Sequence, residues 1–198
     1  MSVSFFVGLD LGQAQDPSAL AAIEKTRPGS APATYDVREL RRWPLGTGFP
    51  EIVEEVVGLF ASPPLAGGML VVDATGCGRP CVDLFRRARP AATLRPVLIT
   101  AGQATRWDEW GYYHVAKVQL AGCLRALLGE RRLRFARQLP LAKTVEKELQ
   151  TFKARITPAG SEQFLADWRE GQHDDLALAV AIGCYAGENL AQRLNVSC

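Results

Sequence analysis

The chain has 198 residues, of which 47% are hydrophobic and 22% charged, so it can bury a core of its own and is not a disordered segment. Its formal net charge of +2 is too small to indicate nucleic-acid binding by itself. An odd number of cysteines, five, and a non-basic N-terminal segment argue against a secreted disulfide-bonded protein. No apolar stretch reaches the length of about 20 residues that a membrane span needs. We therefore expect one cytoplasmic domain over residues 1–198.

The first part of the sequence predicts a strand meander, a helix and a buried strand. Residues 3–11 are apolar without helical periodicity, which is typical of a buried strand. Strands are also predicted over residues 18–24 and 35–43, and the short connections favour an antiparallel meander. A helical pattern begins at Pro50 and stops before two consecutive prolines. Residues 69–73 form the next apolar strand.

The rest of the sequence predicts a parallel extension of this sheet. A glycine-containing turn after residue 73 leads into a helix over residues 81–88 and a strand over residues 97–100. This order indicates a right-handed strand–helix–strand crossover. We interpret residues 102–113 as a loop. Later elements are a helix from Val115 to Leu128, an extended segment at 132–136, a helix at 142–152, a hairpin around Pro158–Gly160 and a helix from His173. The pattern predicts an α/β fold with a central mixed sheet flanked by helices.

Four aspartates lie where these elements begin or end. Asp10 ends the first strand, Asp73 ends the strand 69–73, and Asp174 and Asp175 begin the apolar last helix. Each position has an ordinary explanation, because aspartate caps turns and complements the dipole at a helix N-terminus. Together they favour a single site, because the carboxyl ends of parallel strands lie at one edge of a sheet.

Clustered carboxylates repel one another and are stable when divalent cations neutralise them. Oxygen ligands suit Mg²⁺ or Mn²⁺. Two such ions about 3.5–4 Å apart can activate a water and stabilise the leaving oxygen of a phosphodiester. The pattern predicts a two-metal site held by Asp10, Asp73 and Asp174. Asp175, about 100° further round the helix, would serve one ion or none.

Two histidines and two cysteines suggest weaker alternatives. Cys77 and Cys81 could hold zinc together with His114 or His173, but the paired CxxC spacing of zinc sites is missing, so buried apolar cysteines are the better explanation. His173, directly before the aspartate pair, is a candidate contact to the scissile phosphate or a leaving oxygen. Its alternative is a surface histidine.

Three segments resemble the nuclease domain of bacteriophage terminase large subunits. They are GLDLGQAQDPSA at residues 8–19, VVDATGCGRP at 71–80 and GQHDDLALA at 171–179. Residues 117–128 and 133–156 are also similar, so the likeness covers nearly the whole chain. It implies a ribonuclease H-like fold and Mg²⁺- or Mn²⁺-dependent cleavage of double-stranded DNA during genome packaging. Asp10, Asp73 and Asp174 match the metal-binding acids of that family, and Asp175 matches the second acid of its final pair.

The resemblance also implies partners. Candidate partners are double-stranded DNA, a packaging ATPase domain, the terminase small subunit and the portal, in the cytoplasm of a host cell. Basic side chains would contact the DNA backbone. The candidate DNA contacts are Arg79, Lys117, Lys143, Lys147 and His173. Arginines and lysines also cluster near residues 86–89, 131–137 and 143–155, where solvated surface is the plain alternative.

One feature of terminase large subunits is missing, and other functions are open. The chain has no GxxxxGK[ST] phosphate loop, so we expect either an excised nuclease domain or a stand-alone relative without the packaging motor. A junction resolvase or another ribonuclease H-like nuclease would share the acid geometry. Asp10-Leu11-Gly12 also fits the opening strand of sugar-kinase- or actin-like ATPases, whose second lobe this chain lacks. A non-catalytic DNA-binding or assembly module is the remaining alternative.

Overall fold

The computed structural model describes residues 1–12, 16–76, 78–102, 105–136, 138–154 and 174–190. The strands are β1 (Ser2–Asp10), β2 (Ala19–Arg27), β3 (Thr34–Arg42), β4 (Met69–Asp73), β5 (Thr93–Thr100), β6 (Arg106–Trp107), β7 (Tyr113–Ala116) and β8 (Leu133–Phe135). The helices are α1 (Phe49–Leu59), α2 (Gly78–Ala88), α3 (Lys117–Gly129), α4 (Ala142–Ala154) and α5 (Asp175–Asn189). No helix in these ranges is both long and apolar enough to cross a membrane.

The strands of the described ranges form one mixed sheet in the order β6-β7-β5-β4-β1-β2-β3-β8. The pairs β1–β2 and β2–β3 are antiparallel, which confirms the predicted meander, and the pair β6–β7 is also antiparallel. The pair β4–β5 is parallel and joined by α2, which confirms the predicted strand–helix–strand crossover. The pairs β1–β4, β5–β7 and β3–β8 are parallel as well. Strands β1, β3, β4, β5, β7 and β8 therefore all end at the same side of the sheet, which we call the carboxyl edge.

Alternate residues of the strands supply two separate cores, as the two-residue period of a strand requires. One core joins Phe6 of β1 and Val71 of β4 to α3, α4 and α5. The other joins Leu9 of β1 and Val72 of β4 to α1 and α2. Helix α5 is buried on all sides from Asp175 to Gly187, as its apolar sequence predicts.

The segment before α3 differs from its prediction. Residues 102–113 were expected to form a loop and Val115 to begin a helix, but β6 and β7 form a hairpin there and α3 begins at Lys117. The physical reason is pairing with β5, which buries Tyr113 and Val115 against the core. Aromatic and β-branched side chains fit a half-buried sheet surface better than a helix end. The hairpin predicted around Pro158–Gly160 lies outside the described residues.

Candidate functional site

Asp10 and Asp73 are direct neighbours across the sheet. They are Cα partners in the parallel β1–β4 pair, at the carboxyl edge. The same row continues through Ala19 of β2 to Arg42 of β3. Side chains in one row point to the same face, and Ala19 lies in the core that includes α5. Two strand-end carboxylates and one guanidinium therefore line the α5 face of this edge.

Helix α5 lies unusually close to β1, and this approach determines where its N-terminus lies. A Cβ added to Gly8 would lie 2.0 Å from the carbonyl oxygen of Ala179, and one added to Gly183 would lie 3.3 Å from the backbone nitrogen of Gly8. Only glycine permits backbone contact of this kind. The helix begins at Asp175, with Asp174 before it, and both acids are buried. The two residues are 9% and 6% exposed, comparable with 7% for Asp73.

The electrostatic environment of Asp10 reflects all of these acids. Burial of its carboxyl raises its pKa well above the usual value of 3.8, and the negative charges of Asp73, Asp175, Asp174 and Asp16 raise the pKa further, in that order. Burial and like charges both disfavour an ionised carboxylate. Four neighbouring acids therefore act electrostatically on the carboxyl edge of β1.

Asp73 combines this position with the ordinary role of capping a turn. Its Oδ1 accepts hydrogen bonds from Thr75 N at 2.8 Å and from Thr75 Oγ1 at 2.5 Å. Thr75 Oγ1 in turn accepts from Ile99 N at 2.7 Å, which ties the turn to β5. One carboxylate oxygen of Asp73, Oδ1, therefore has the turn-capping role that was the alternative explanation from the sequence. These contacts also fix the orientation of the carboxylate.

Asp174 does not cap α5, although it occupies the cap position. Its side chain makes no capping hydrogen bond, and Leu178 N donates to its backbone oxygen at 2.8 Å. The N–H of Ala177, which a capping residue would ordinarily satisfy, instead donates to Glu148 Oε2 of α4 at 3.0 Å. A neighbouring helix thus supplies the cap that the aspartate would otherwise provide.

Arg42 and Glu148 form an ion-pair network with Asp175 that the sequence analysis missed. Arg42 Nη2 contacts Glu148 Oε1 and lies 3.4 Å from Asp175 Oδ2. Both residues left a signal in the sequence. Glu148 lies on the apolar stripe of α4 with Val145 and Leu149, and Arg42 follows Leu40 on the core-facing side of β3. A charged residue in a buried position needs a partner, which these two provide for each other.

The donor set suits a hard divalent cation. Carboxylate oxygens are the ligands that Mg²⁺ and Mn²⁺ prefer, and a cation would relieve the charge that raises the pKa of Asp10. No group of three or more His, Cys, Asp or Glu side chains in the described ranges is arranged to hold a metal ion as it stands.

The zinc alternative has little support in the described ranges. The side chain of Cys81 is buried and packs with the α1–α2 core, as expected for an apolar cysteine. His114 Nε2 lies 3.0 Å from Asp108 Oδ2 in the β6–β7 hairpin. Cys77 and His173 lie outside the described residues.

The candidate DNA contacts of the described ranges lie on three different helices. Arg79 is exposed in the first turn of α2, and Lys117 is half-buried directly after β7, both at the carboxyl edge. Lys143 and Lys147 are exposed on α4, the helix that carries Glu148. Arg132 and Arg134, in a basic cluster near β8, form ion pairs with Glu188 and Asp36. The candidate contact His173 lies beyond the described ranges.

Comparison with solved structures identifies the fold. The large terminase nuclease from the thermophilic phage G20c is similar with a TM-score of 0.58 and 17% identity, over 92% of this chain and 81% of that chain. The human cytomegalovirus terminase nuclease domain, soaked with Mn, is similar with a TM-score of 0.56 and 14% identity, over 94% and 86% of the two chains. This chain has the fold of a terminase nuclease domain.

The terminase-type fold confirms the predicted ribonuclease H-like architecture. A zinc-bound structure of the G20c nuclease is also similar, with a TM-score of 0.56 and 18% identity over 92% of this chain and 80% of that chain. No protein-family model matches the sequence, and no curated protein matches it either. At such low identity the likeness extends to the fold and not to individual residues.

Proposed function

We propose that this chain is a divalent-metal-dependent endonuclease that cuts double-stranded DNA. The observation that carries the proposal is the electrostatic environment of Asp10, whose pKa is raised by its burial and by the charges of Asp73, Asp174 and Asp175. Such crowding of like charge favours a site that a cation completes. The terminase-type fold and the Mn-soaked and zinc-bound states of the similar structures support the same reading.

The proposed site divides the acids into two kinds. Asp10, Asp73 and Asp174 would hold Mg²⁺ or Mn²⁺, because two of them share a row of the sheet and the third is relieved of capping by Glu148. When bound, a pair of such ions supplies an activated water and stabilises the leaving oxygen of the phosphodiester. Asp175 is the fourth proposed acid. Its contact with Arg42 compensates part of its charge, so we assign it mainly to orienting the site.

The chain's own basic residues would position the substrate. We propose that Arg79, Lys117, Lys143 and Lys147 contact the phosphates of DNA, and that His173 lies near the scissile phosphate. Contacts of this kind fix the register of a protein on DNA without reading its sequence. The turn held by Asp73 and Thr75 would keep one carboxylate oriented while the strand is cut.

The biological setting follows from the sequence motifs. We propose that residues 1–198 form one nuclease domain that acts in viral genome packaging in the host cytoplasm. Its partners would then be a packaging ATPase, a terminase small subunit and a portal. The absence of a GxxxxGK[ST] loop within the 198 residues means that the motor activity has to come from another polypeptide or segment.

The test of the proposed activity is cleavage of supercoiled plasmid. We expect nicked and linear products with Mn²⁺ or Mg²⁺ and none with EDTA. Asp10→Asn and Asp73→Asn should each lower the cleavage rate at least 100-fold, since each removes a ligand charge. Asp36→Asn is the matched control, because Asp36 is an aspartate of β3 that pairs with Arg134 away from the carboxyl edge. Normal cleavage by Asp10→Asn, or an equal loss in the Asp36 variant, would contradict the proposed site.

A further inference from the structure

The β6–β7 hairpin displays an aromatic side chain beside the proposed site. Trp110 is 57% exposed, although tryptophan is highly buried on average. The guanidinium of Arg79 lies 4.6 Å from the centroid of the Trp110 ring. Arginine stacked on an exposed indole is an arrangement that recognises nucleobases and phosphates together.

The backbone of the hairpin holds Trp110 in place. Asp108 Oδ1 accepts hydrogen bonds from Trp110 N at 3.0 Å and from Tyr112 N at 2.9 Å. Arg86 Nη2 donates to the backbone oxygen of Trp110 at 3.2 Å. Gly111, with a φ of 78°, closes the turn through a hydrogen bond to the Asp108 oxygen at 3.2 Å. The main chain is therefore fixed while the indole extends into solvent, so little ordering is needed when a partner binds.

The hairpin is packed against the loop that follows Asp73. Tyr112, Ala74 and Val82 form one small buried cluster, and Ala74 is the residue after Asp73. Arg79 lies in the first turn of α2, six positions after Asp73 in the chain. The exposed ring and the proposed cleavage site thus lie on adjoining parts of the surface.

The charge of this surface indicates a polyanion. Helix α2 carries Arg79, Arg86 and Arg87 but only one acid, Asp83, which pairs with Arg86 at 3.1 Å. A protein or lipid partner would call for a wider apolar patch than the two exposed indoles of this hairpin, Trp107 and Trp110. A DNA strand supplies both phosphates for the arginines and a flat base for the ring. Inside a duplex the bases already stack on one another, so a base within the strand has to be unpaired before it can stack on Trp110.

We propose that Trp110 and Arg79 bind an unpaired base and its phosphate in the DNA strand that passes the active site. The proposal rests on the proposed function and specifies its substrate as DNA that is locally unpaired or frayed near the cut. Trp110 provides the stacking surface, and Arg79 provides both a cation over the ring and a phosphate contact.

The experiment compares binding of a fluorescent oligo(dT) strand and of a duplex of equal length, by anisotropy in EDTA. We expect Trp110→Ala to weaken binding of oligo(dT) about tenfold and binding of the duplex less than about twofold, as loss of one stacked base predicts. Trp110→Phe should retain most of the affinity. Arg79→Ala should weaken the binding of both oligo(dT) and the duplex and should reduce the salt dependence of binding.

Val3→Ala is the matched control, because Val3 is an exposed apolar side chain at the opposite end of β1. Thermal unfolding should be nearly unchanged in the Trp110 variants, since the ring is largely exposed. Unchanged oligo(dT) binding by Trp110→Ala, or equal losses for strand and duplex, would overturn the proposal. Binding is measured without cleavage, so a failure of nuclease activity and a failure of this site are separate results.

Discussion

Arg42 connects two acidic side chains that the fold buries. Glu148 is 6% exposed and Asp175 is also 6% exposed, and both contact Arg42 Nη2. Without the guanidinium, two negative charges would remain buried and close together. Because breaking a buried ion pair from one side costs about 3–5 kcal/mol, we expect Arg42→Ala to lower the free energy of unfolding by about 3 kcal/mol. Urea denaturation of the metal-free protein measures this change.

The control for Arg42 is a surface arginine on the same strand. Arg38 pairs with Glu24 at 2.9 Å, but its side chain is 55% exposed. Exposed pairs contribute about 0–1 kcal/mol, so Arg38→Ala should be nearly neutral. Similar losses in the two variants would mean that the Arg42 network has no special structural role.

Asp10 gives the metal-free protein a predictable pH dependence. Its folded-state pKa is raised above the ordinary value of 3.8, so the folded protein binds the proton more tightly than the unfolded chain does. The stabilisation is complete below the ordinary pKa and is lost as the pH rises through the raised pKa. We expect the melting temperature of the metal-free protein to fall over this range. The melting temperature of Asp10→Asn should fall less steeply with pH, and at neutral pH it should be higher than that of the wild type.

Divalent cations provide the second half of this test. Mn²⁺ should raise the melting temperature of the wild type at neutral pH and should raise that of Asp10→Asn less, because the variant lacks one ligand charge. Parallel pH profiles for the two proteins would show that Asp10 is not the group responsible for the loss of stability.

At the scale of elements, the position of α5 depends on its contact with β1. An alanine Cβ at Gly8 would meet the Ala179 oxygen at 2.0 Å, so the helix or the strand would have to shift. Overpacking of a core usually costs about 1–3 kcal/mol, and contact with backbone should bring Gly8→Ala to the upper end. We also expect a loss of cleavage, because the same shift displaces Asp174 and Asp175. Denaturation and plasmid cleavage measure the two effects.

Gly122 provides the opposite expectation for the same substitution. It is exposed in α3, and an added Cβ would have no atom within 4 Å. Gly122→Ala should raise the free energy of unfolding by about 0.5–1 kcal/mol and leave cleavage unchanged, because alanine favours the helix. If both variants were destabilised, the close α5–β1 contact would not be the reason for the loss in Gly8→Ala.

At the scale of the whole molecule, DNA binding should depend on where the charge lies and not on the net charge of +2. Lys143 and Lys147 are exposed one turn apart on α4. If both lysines contact phosphates, the double variant with Lys143→Ala and Lys147→Ala should bind the duplex more weakly. The slope of the logarithm of the binding constant against the logarithm of the salt concentration should fall in magnitude by about 2. Anisotropy titrations over a range of salt concentrations measure the slope.

Arg134 is the control for the lysine pair. Both of its guanidinium contacts to Asp36 are 2.7 Å long, so its charge is already compensated at the far edge of the sheet. Arg134→Ala should leave the salt slope unchanged. An unchanged slope in the lysine variant would show that DNA lies elsewhere on the molecule.

The sequence alone determined most of the fold. The apolar runs ending in Asp10 and Asp73 and the apolar stretch after Asp175 were sufficient to predict two buried strands and a buried helix, because burial on every side leaves little choice of residue type. The meander and the crossover followed from short connections and chain order. The β6–β7 hairpin was missed because its local pattern is polar and aromatic, and only pairing with β5 makes it a strand pair.

The tertiary structure decided how the candidate acids are related. The sequence could place each aspartate at an element end, but the row that joins Asp10 to Asp73 and Arg42 depends on strand register between distant segments. The same holds for Glu148, which caps α5 from another helix and relieves Asp174 of that role. Local sequence fixes local conformation, whereas charges separated by more than a hundred residues interact only after the sheet and helices have packed.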